Sequence, residues 1–351
     1  MQLTPSDEQR MMTDMLSRFL SDRAGAEGAG PMPDDDWKEL GELGILGFGV
    51  PEDAGGFGAP LADLAAVATL LGRHIAITPY AGRGVALCAA LLAEDSNHRQ
   101  LLDRVIAGDE QIAFGRCGGR QPVTAARVDG GFTLNGICEA AAWPQNAGHV
   151  IIEASLHGAP TAFVVARDAS GITADTRNLA DHSRAATLAF DCVRLPETAR
   201  LNLGADRLEQ LVARDRVLLV AELVGLMQRC FDETVAYANE RRQFGKAIAT
   251  FQVVRHRVAR MFVALEQARS LLLRAALTCD EAISSADASM AALAFASRAS
   301  LSLAQDAVQL HGGMGVTDDL SVARAHRRIL CQSRREGSPE HARQKINALA
   351  N

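Results

Sequence analysis

A chain of 351 residues with 48% hydrophobic content can bury a large core, and its length suits about two or three domains. A net charge of −6, with no block of lysine or arginine, argues against an electrostatic footprint for nucleic acid. Seven scattered cysteines without a CxxC pair suggest neither a disulfide framework nor a zinc site, and they read as reduced thiols.

The N-terminus, Met1 to Glu8, is acidic where a signal or transit peptide is basic, and no run of ~18 apolar residues follows anywhere, so the expected location is the cytoplasm. A first helix is expected after a cap at Ser6, with Met11, Met12, Met15, Leu16, Phe19 and Leu20 on one stripe. Pro51 to Gly58 is a Pro- and Gly-marked loop, and helices are expected near 61–73, 80–93 and 97–107. After Gly108 the period changes to short alternating or continuous apolar runs. Strands are expected at 111–114, 124–128, 132–135, 150–154, 162–166 and 187–190, with Asp129-Gly130 as a hairpin turn. Pro196 and Leu201 to Gly204 read as the exit from this β region. From about Asp206 long helices return. Val217 to Met227 is apolar nearly all round, which implies burial on several sides, and stripes over 249–278 and 284–310 complete a bundle. The domain division expected is 1–110, 111–205 and 206–351. The fold class is α+β: an N-terminal all-α domain, a middle antiparallel β domain (barrel or sandwich) and a C-terminal four-helix bundle.

Two polar, glycine-bearing segments interrupt the helical pattern of the last third. In Glu240-Arg241-Arg242-Gln243-Phe244-Gly245, a guanidinium and backbone amides lie at a helix end where glycine permits close approach, an arrangement suited to a phosphate. A planar guanidinium can bond two phosphate oxygens at once. The second segment is Gln309-Leu310-His311-Gly312-Gly313-Met314-Gly315. By itself it reads as a helix stop. His311 is expected as a packing or polar contact.

Together, and with the continuation through Ile248, Phe251-Gln252 and His256, these segments resemble the flavin-nucleotide grip of the acyl-CoA dehydrogenase family. The order of Trp37, Leu43-Gly44 and the Pro51 loop is similar to that family's N-terminal domain. The resemblance implies FAD as cofactor, held through Arg241, Gln243, Phe244, Gln309, Gly312, Gly313 and Ser338, with its pyrophosphate and adenosine shared between neighbouring subunits. It implies a homotetramer or heterotetramer, an acyl-CoA substrate and an electron-transferring flavoprotein as acceptor. No membrane, nucleic acid or metal is called for.

The family's chemistry removes a Cα proton from an acyl-CoA thioester by a carboxylate while the Cβ hydrogen leaves as hydride. Such a base needs a dry pocket. Counted without gaps from Gly313 through Val322 and Arg327, Glu336 falls where the family commonly carries its glutamate, and Ser338-Pro339-Glu340 reads as the start of a last helix. A minority of the family places the base on the earlier helix, where Asp215 stands here. Glu222, within the apolar run, is expected as a buried hydrogen-bonded contact. The β domain departs from the family: the threonine-glutamate-proline loop is replaced by Phe114 to Pro122, and the second flavin-contact turn reads Cys138 to Pro144. Trp143 is either a shifted flavin contact or part of the core. Three functions follow: a catalytic dehydrogenase, a partner subunit completing a neighbour's FAD site, or a flavin-free assembly module.

Overall fold

The computed structural model describes residues 7–23, 30–116, 121–140, 142–144, 146–280 and 285–336. Five helices come first: α1 (Asp7–Arg23), α2 (Asp34–Glu42), α3 (Leu61–Arg73), α4 (Val85–Ala93) and α5 (Arg99–Ile106). Seven strands follow: β1 (Gln111–Arg116), β2 (Thr124–Val128), β3 (Gly131–Ala140), β4 (Ala147–Leu156), β5 (Ala159–Ala166), β6 (Ile172–Asn178) and β7 (Arg184–Pro196). The chain then runs through α6 (Ala205–Glu240), the short β8 (Arg242–Gln243) and β9 (Lys246–Ala247), α7 (Gln252–Asp280), α8 (Ser285–His311) and α9 (Ser321–Gln332). This is the α+β order read from the sequence. The expected cap Ser6 lies outside the described residues.

Two compact units are present. One holds Met1–Pro31, Leu61–Ile77 and Arg216–Asn351; the other holds Met32–Pro60 and Thr78–Asp215. In the first, α7 packs along α8 and α8 along α9, while α3 lies on α7. Val254, Met261, Leu265 and Leu272 form the buried stripe of α7, and Leu293, Leu303 and Ala304 that of α8. Each such leucine contributes roughly 1.5–3 kcal/mol by leaving water. Every residue of α6 from Val217 to Met227 is buried. It meets α3 backbone to backbone: a Cβ on Gly72 would stand 2.1 Å from the Glu222 carbonyl oxygen, and one on Gly225 would stand 2.0 Å from that of Thr69. The amide of Leu61 donates to the Asp280 carboxylate at 2.9 Å, so the start of α3 is capped by the end of α7.

In the second unit the sheet runs β1-β4-β2-β3-β7-β6, with β5 on β4, and a further β1–β3 pairing closes β1, β4, β2 and β3 into a ring. Most ladders are antiparallel, but β4 pairs parallel to both β1 and β2. Side-chain alternation assigns faces and not neighbours, so these parallel pairings are not legible in it. The turn Asp129-Gly130 joins β2 to β3 as expected, with Val128 opposite Gly131. Strand β6 was not expected: its residues are exposed beyond Ile172, so no apolar alternation marks it. The core gathers Phe132, Phe163, Trp143 and the valines and alanines around them, with the two phenylalanine rings edge to face at 5.2 Å. The helix expected from 80 begins at Val85, because Gly82 and Arg83 take left-handed backbone angles in a preceding turn.

Candidate functional site

The two glycine segments lie in the same unit, and a ring stack joins them. Tyr237, in the last turn of α6, lies against His311, the last residue of α8, with centroids 4.4 Å apart. His311 is buried and its Nδ1 lies 2.8 Å from the Ala307 carbonyl oxygen, which makes it a packing and polar contact. Tyr237 also accepts from the Arg241 amide at 2.8 Å, which ends α6 and turns the Arg241 side chain into an exposed position.

From there β8 and β9 form a two-residue hairpin turning at Phe244-Gly245. Both turn residues have positive φ, 52° and 80°, as a primed hairpin turn requires. Glycine meets that demand at no steric cost, whereas an aromatic residue does not. Phe244 is nonetheless 92% exposed, touching Phe251 edge-on at 6.1 Å. At 92% exposure that edge contact covers little of the strained ring, and such strain collects at binding sites. Gln243 is exposed in the same hairpin.

The glycines of the second segment divide by role. Gly312 has φ 63° and stops α8 in the left-handed conformation. Gly315 is buried, and a Cβ there would stand 2.6 Å from the Val308 carbonyl oxygen. Gly313 has neither a positive φ nor any neighbour within 4 Å of an added Cβ, so the fold itself does not require glycine there. Gln309 is exposed one turn before it. Arginine, amide side chains and glycine backbone, all outward, fit the phosphates and nucleoside of a dinucleotide approaching from outside.

The carboxylates are placed as follows. Glu336 lies in the turn after α9, its side chain 6% exposed, with Arg216 Nε of α6 3.5 Å from its Oε2. Arg216 is itself only 2% exposed. Arg334 is exposed, while Arg335 is buried and donates to Gln332 Oε1. Arg216, from far along the chain, is a guanidinium paired with Glu336, a partner that sequence reasoning missed. The available signal was a cation at the head of a run too apolar to leave it exposed. Ser338 and the expected last helix lie outside the described residues.

Asp215 is 3% exposed and accepts the Arg83 amide at 2.6 Å, fastening the left-handed turn before α4. Burial and then the charge of Asp215 push the Tyr80 hydroxyl and the Cys88 thiol up from their ordinary pKa values. Glu222 is a buried hydrogen-bonded contact as expected: its oxygens accept from Arg328 Nε at 2.7 Å and Gln332 Nε2 at 2.6 Å. In the β unit, Trp143 belongs to the core, under the Arg167 guanidinium at 5.0 Å. At the end of β1, a side chain on Gly115 would meet Ile152 and Cys138 within 2.8 Å, and Arg116 is paired with Glu153 and Glu209.

No helix among the described residues is long and apolar enough to cross a membrane. The family pattern for the acyl-CoA dehydrogenase C-terminal domain matches residues 202–349, and that for the N-terminal domain matches 6–109. The chain is 28% identical to a benzylmalonyl-CoA dehydrogenase of Aromatoleum aromaticum, over 91% of each chain. Among solved structures it is similar to the Tcur3481-Tcur3483 steroid acyl-CoA dehydrogenase, with TM-score 0.88, 26% identity and 98% of each chain covered. It shares the fold of the ChsE4-ChsE5 complex of Mycobacterium tuberculosis, with TM-score 0.91 at 24% identity, over 100% of this chain and 99% of that one. The chain belongs to the acyl-CoA dehydrogenase family, FAD-dependent oxidoreductases acting on CH–CH bonds.

Proposed function

We propose that the chain is a catalytic dehydrogenase that converts an acyl-CoA thioester to the trans-2-enoyl-CoA in the cytoplasm, with Glu336 as the base. The observation that carries this reading is the buried carboxylate of Glu336, in the turn after α9, where the family's glutamate is expected. The Cα–H bond gives its proton to Glu336 and its electron pair to the forming Cα=Cβ bond, and burial excludes the water that would otherwise compete for the proton. Bound FAD supplies the acceptor for the departing Cβ hydride. Arg241, Gln243, Phe244, Gln309, Gly312 and Gly313 hold the cofactor's phosphates and nucleoside, and Ser338 belongs to the same set by resemblance. Exposed apolar side chains in and beside these segments, Phe244, Val253 and Val316, support a site completed by a second subunit in a homotetramer or heterotetramer. The electron acceptor of this reading is an electron-transferring flavoprotein. Asp215 is the weaker base, since one of its oxygens is committed to the Arg83 amide.

The test is anaerobic mixing of the purified yellow protein with a panel of straight-chain, branched and aryl acyl-CoA thioesters. Flavin bleaching is expected with the wild type, and Glu336→Gln should abolish it while FAD stays bound. Retained bleaching in Glu336→Gln would sink the assignment. A second reading, a partner subunit of a heteromer, is favoured by the end of β1, where Gly115 and Arg116 stand in place of the family's ring-contact side chains. It predicts a colourless protein that binds FAD only with a second chain. Failure to take up flavin with any partner would leave the assembly module.

A further inference from the structure

The pair Arg216–Glu336 is an unusual investment for a helical bundle. Both side chains are almost wholly buried, and each ion taken out of water costs several kcal/mol before attraction returns any of it. Apolar residues of similar volume hold such a position at least as well, so stability does not account for a guanidinium on the buried face of α6.

The segment that carries Glu336 is fixed by a second set of contacts. Arg328 and Gln332, one turn apart on α9, both reach α6 at Glu222, and the buried Arg335 follows at the same stripe spacing. The two oxygens of Glu222 accept from Arg328 and Gln332, and the amide oxygen of Gln332 accepts from Arg335. The turn closes with the Ser333 amide on the Ile329 carbonyl oxygen at 2.9 Å and the Arg335 amide on that of Gln332 at 3.2 Å. Its backbone is therefore bolted to α6 through Glu222, and the carboxylate at its tip meets α6 again at Arg216.

We propose that Arg216 is the positioning residue for the base: its buried guanidinium holds the Glu336 carboxylate in one orientation, while the Glu222 set fixes the turn beneath it. This rests on Glu336 being the base. A carboxylate so held is ready to accept a proton without first being ordered, and a displacement of about 1 Å at such a group can cost about 100-fold in rate.

Arg216→Met removes the charge and keeps the volume; Arg216→Lys keeps the charge without the planar fork. With the acyl-CoA of the panel that bleaches wild-type flavin fastest, Arg216→Met is expected to keep its FAD and its substrate KM within about 3-fold while kcat falls about 100-fold, and Arg216→Lys should recover at least about a tenth of wild-type kcat. Arg216→Met combined with Glu336→Gln completes a set of four proteins. The same four proteins give a cycle that needs no substrate: the change in Tm caused by Arg216→Met should differ between the wild-type and Glu336→Gln backgrounds. Wild-type kcat in Arg216→Met, or additive Tm changes across the cycle, would overturn the proposal. If Arg216→Met does not fold, Arg216→Lys takes its place in the cycle, and additivity there overturns the proposal equally. Activity surviving in Glu336→Gln would instead remove the base assignment, whatever the cycle shows.

Discussion

At the scale of single residues, the fold requires glycine at only some positions of the 309–315 segment. Gly315 stands where a Cβ would strike the Val308 carbonyl oxygen, whereas Gly313 faces open space at an ordinary backbone angle. Gly315→Ala should therefore cost roughly 1–3 kcal/mol by overpacking, read as a lower midpoint in denaturant. Gly313→Ala should leave that midpoint within roughly 0.5 kcal/mol of wild type and weaken FAD retention on dilution. Equal stability losses for the two would contradict this division. The sequence already marked both glycines, along with Arg241, Gln243 and Phe244, because glycine and arginine between helices are local signals. It could not mark Arg216, because what matters there is a partner far along the chain, and residue spacing carries no such pairing.

Among the elements, α6 organises the bundle by close contact on one side and by charge on another. Its Gly225 lets α3 approach within backbone distance, and its Glu222 takes hydrogen bonds from Arg328, 106 residues away, and from Gln332. Truncation as Glu222→Ala removes the buried carboxylate to which Arg328 Nε and Gln332 Nε2 donate, a loss of about 3–5 kcal/mol. Thermal unfolding monitored by circular dichroism checks it, and a Tm unchanged from wild type would show that the contact is dispensable. Element type was readable wherever periodicity was strong: α7 and α8 fall where their stripes put them, and β2 matches its expected span at Thr124–Val128. Misses occurred where a different constraint ruled. Strand β6 is an exposed edge with no buried face to pattern, and the start of α4 was delayed by a turn that Asp215 holds from a distant helix.

For the whole molecule, acidification is a test that involves no ligand. Burial lowers the pKa of His74, His98 and His326 below the ordinary value of 6.5, so each binds fewer protons folded than unfolded. Stability from these groups is present above about pH 6.5 and is lost as the pH falls below it, because the unfolded chain then gains protons that the folded chain refuses. Tm should accordingly decline between pH 7 and about pH 5.5, and replacing the three histidines with glutamine should flatten that decline. The central claim is that this polypeptide grips FAD phosphates through Arg241 and the glycine segments at a boundary between subunits. It is tested most directly by size-exclusion chromatography with light scattering and flavin absorbance on the wild type and Arg241→Ala. A dimer or larger assembly with about one flavin per FAD site, and an Arg241→Ala protein that keeps its helical signal but loses the flavin, is the expected result. A yellow monomer, or full flavin content in Arg241→Ala, would contradict it.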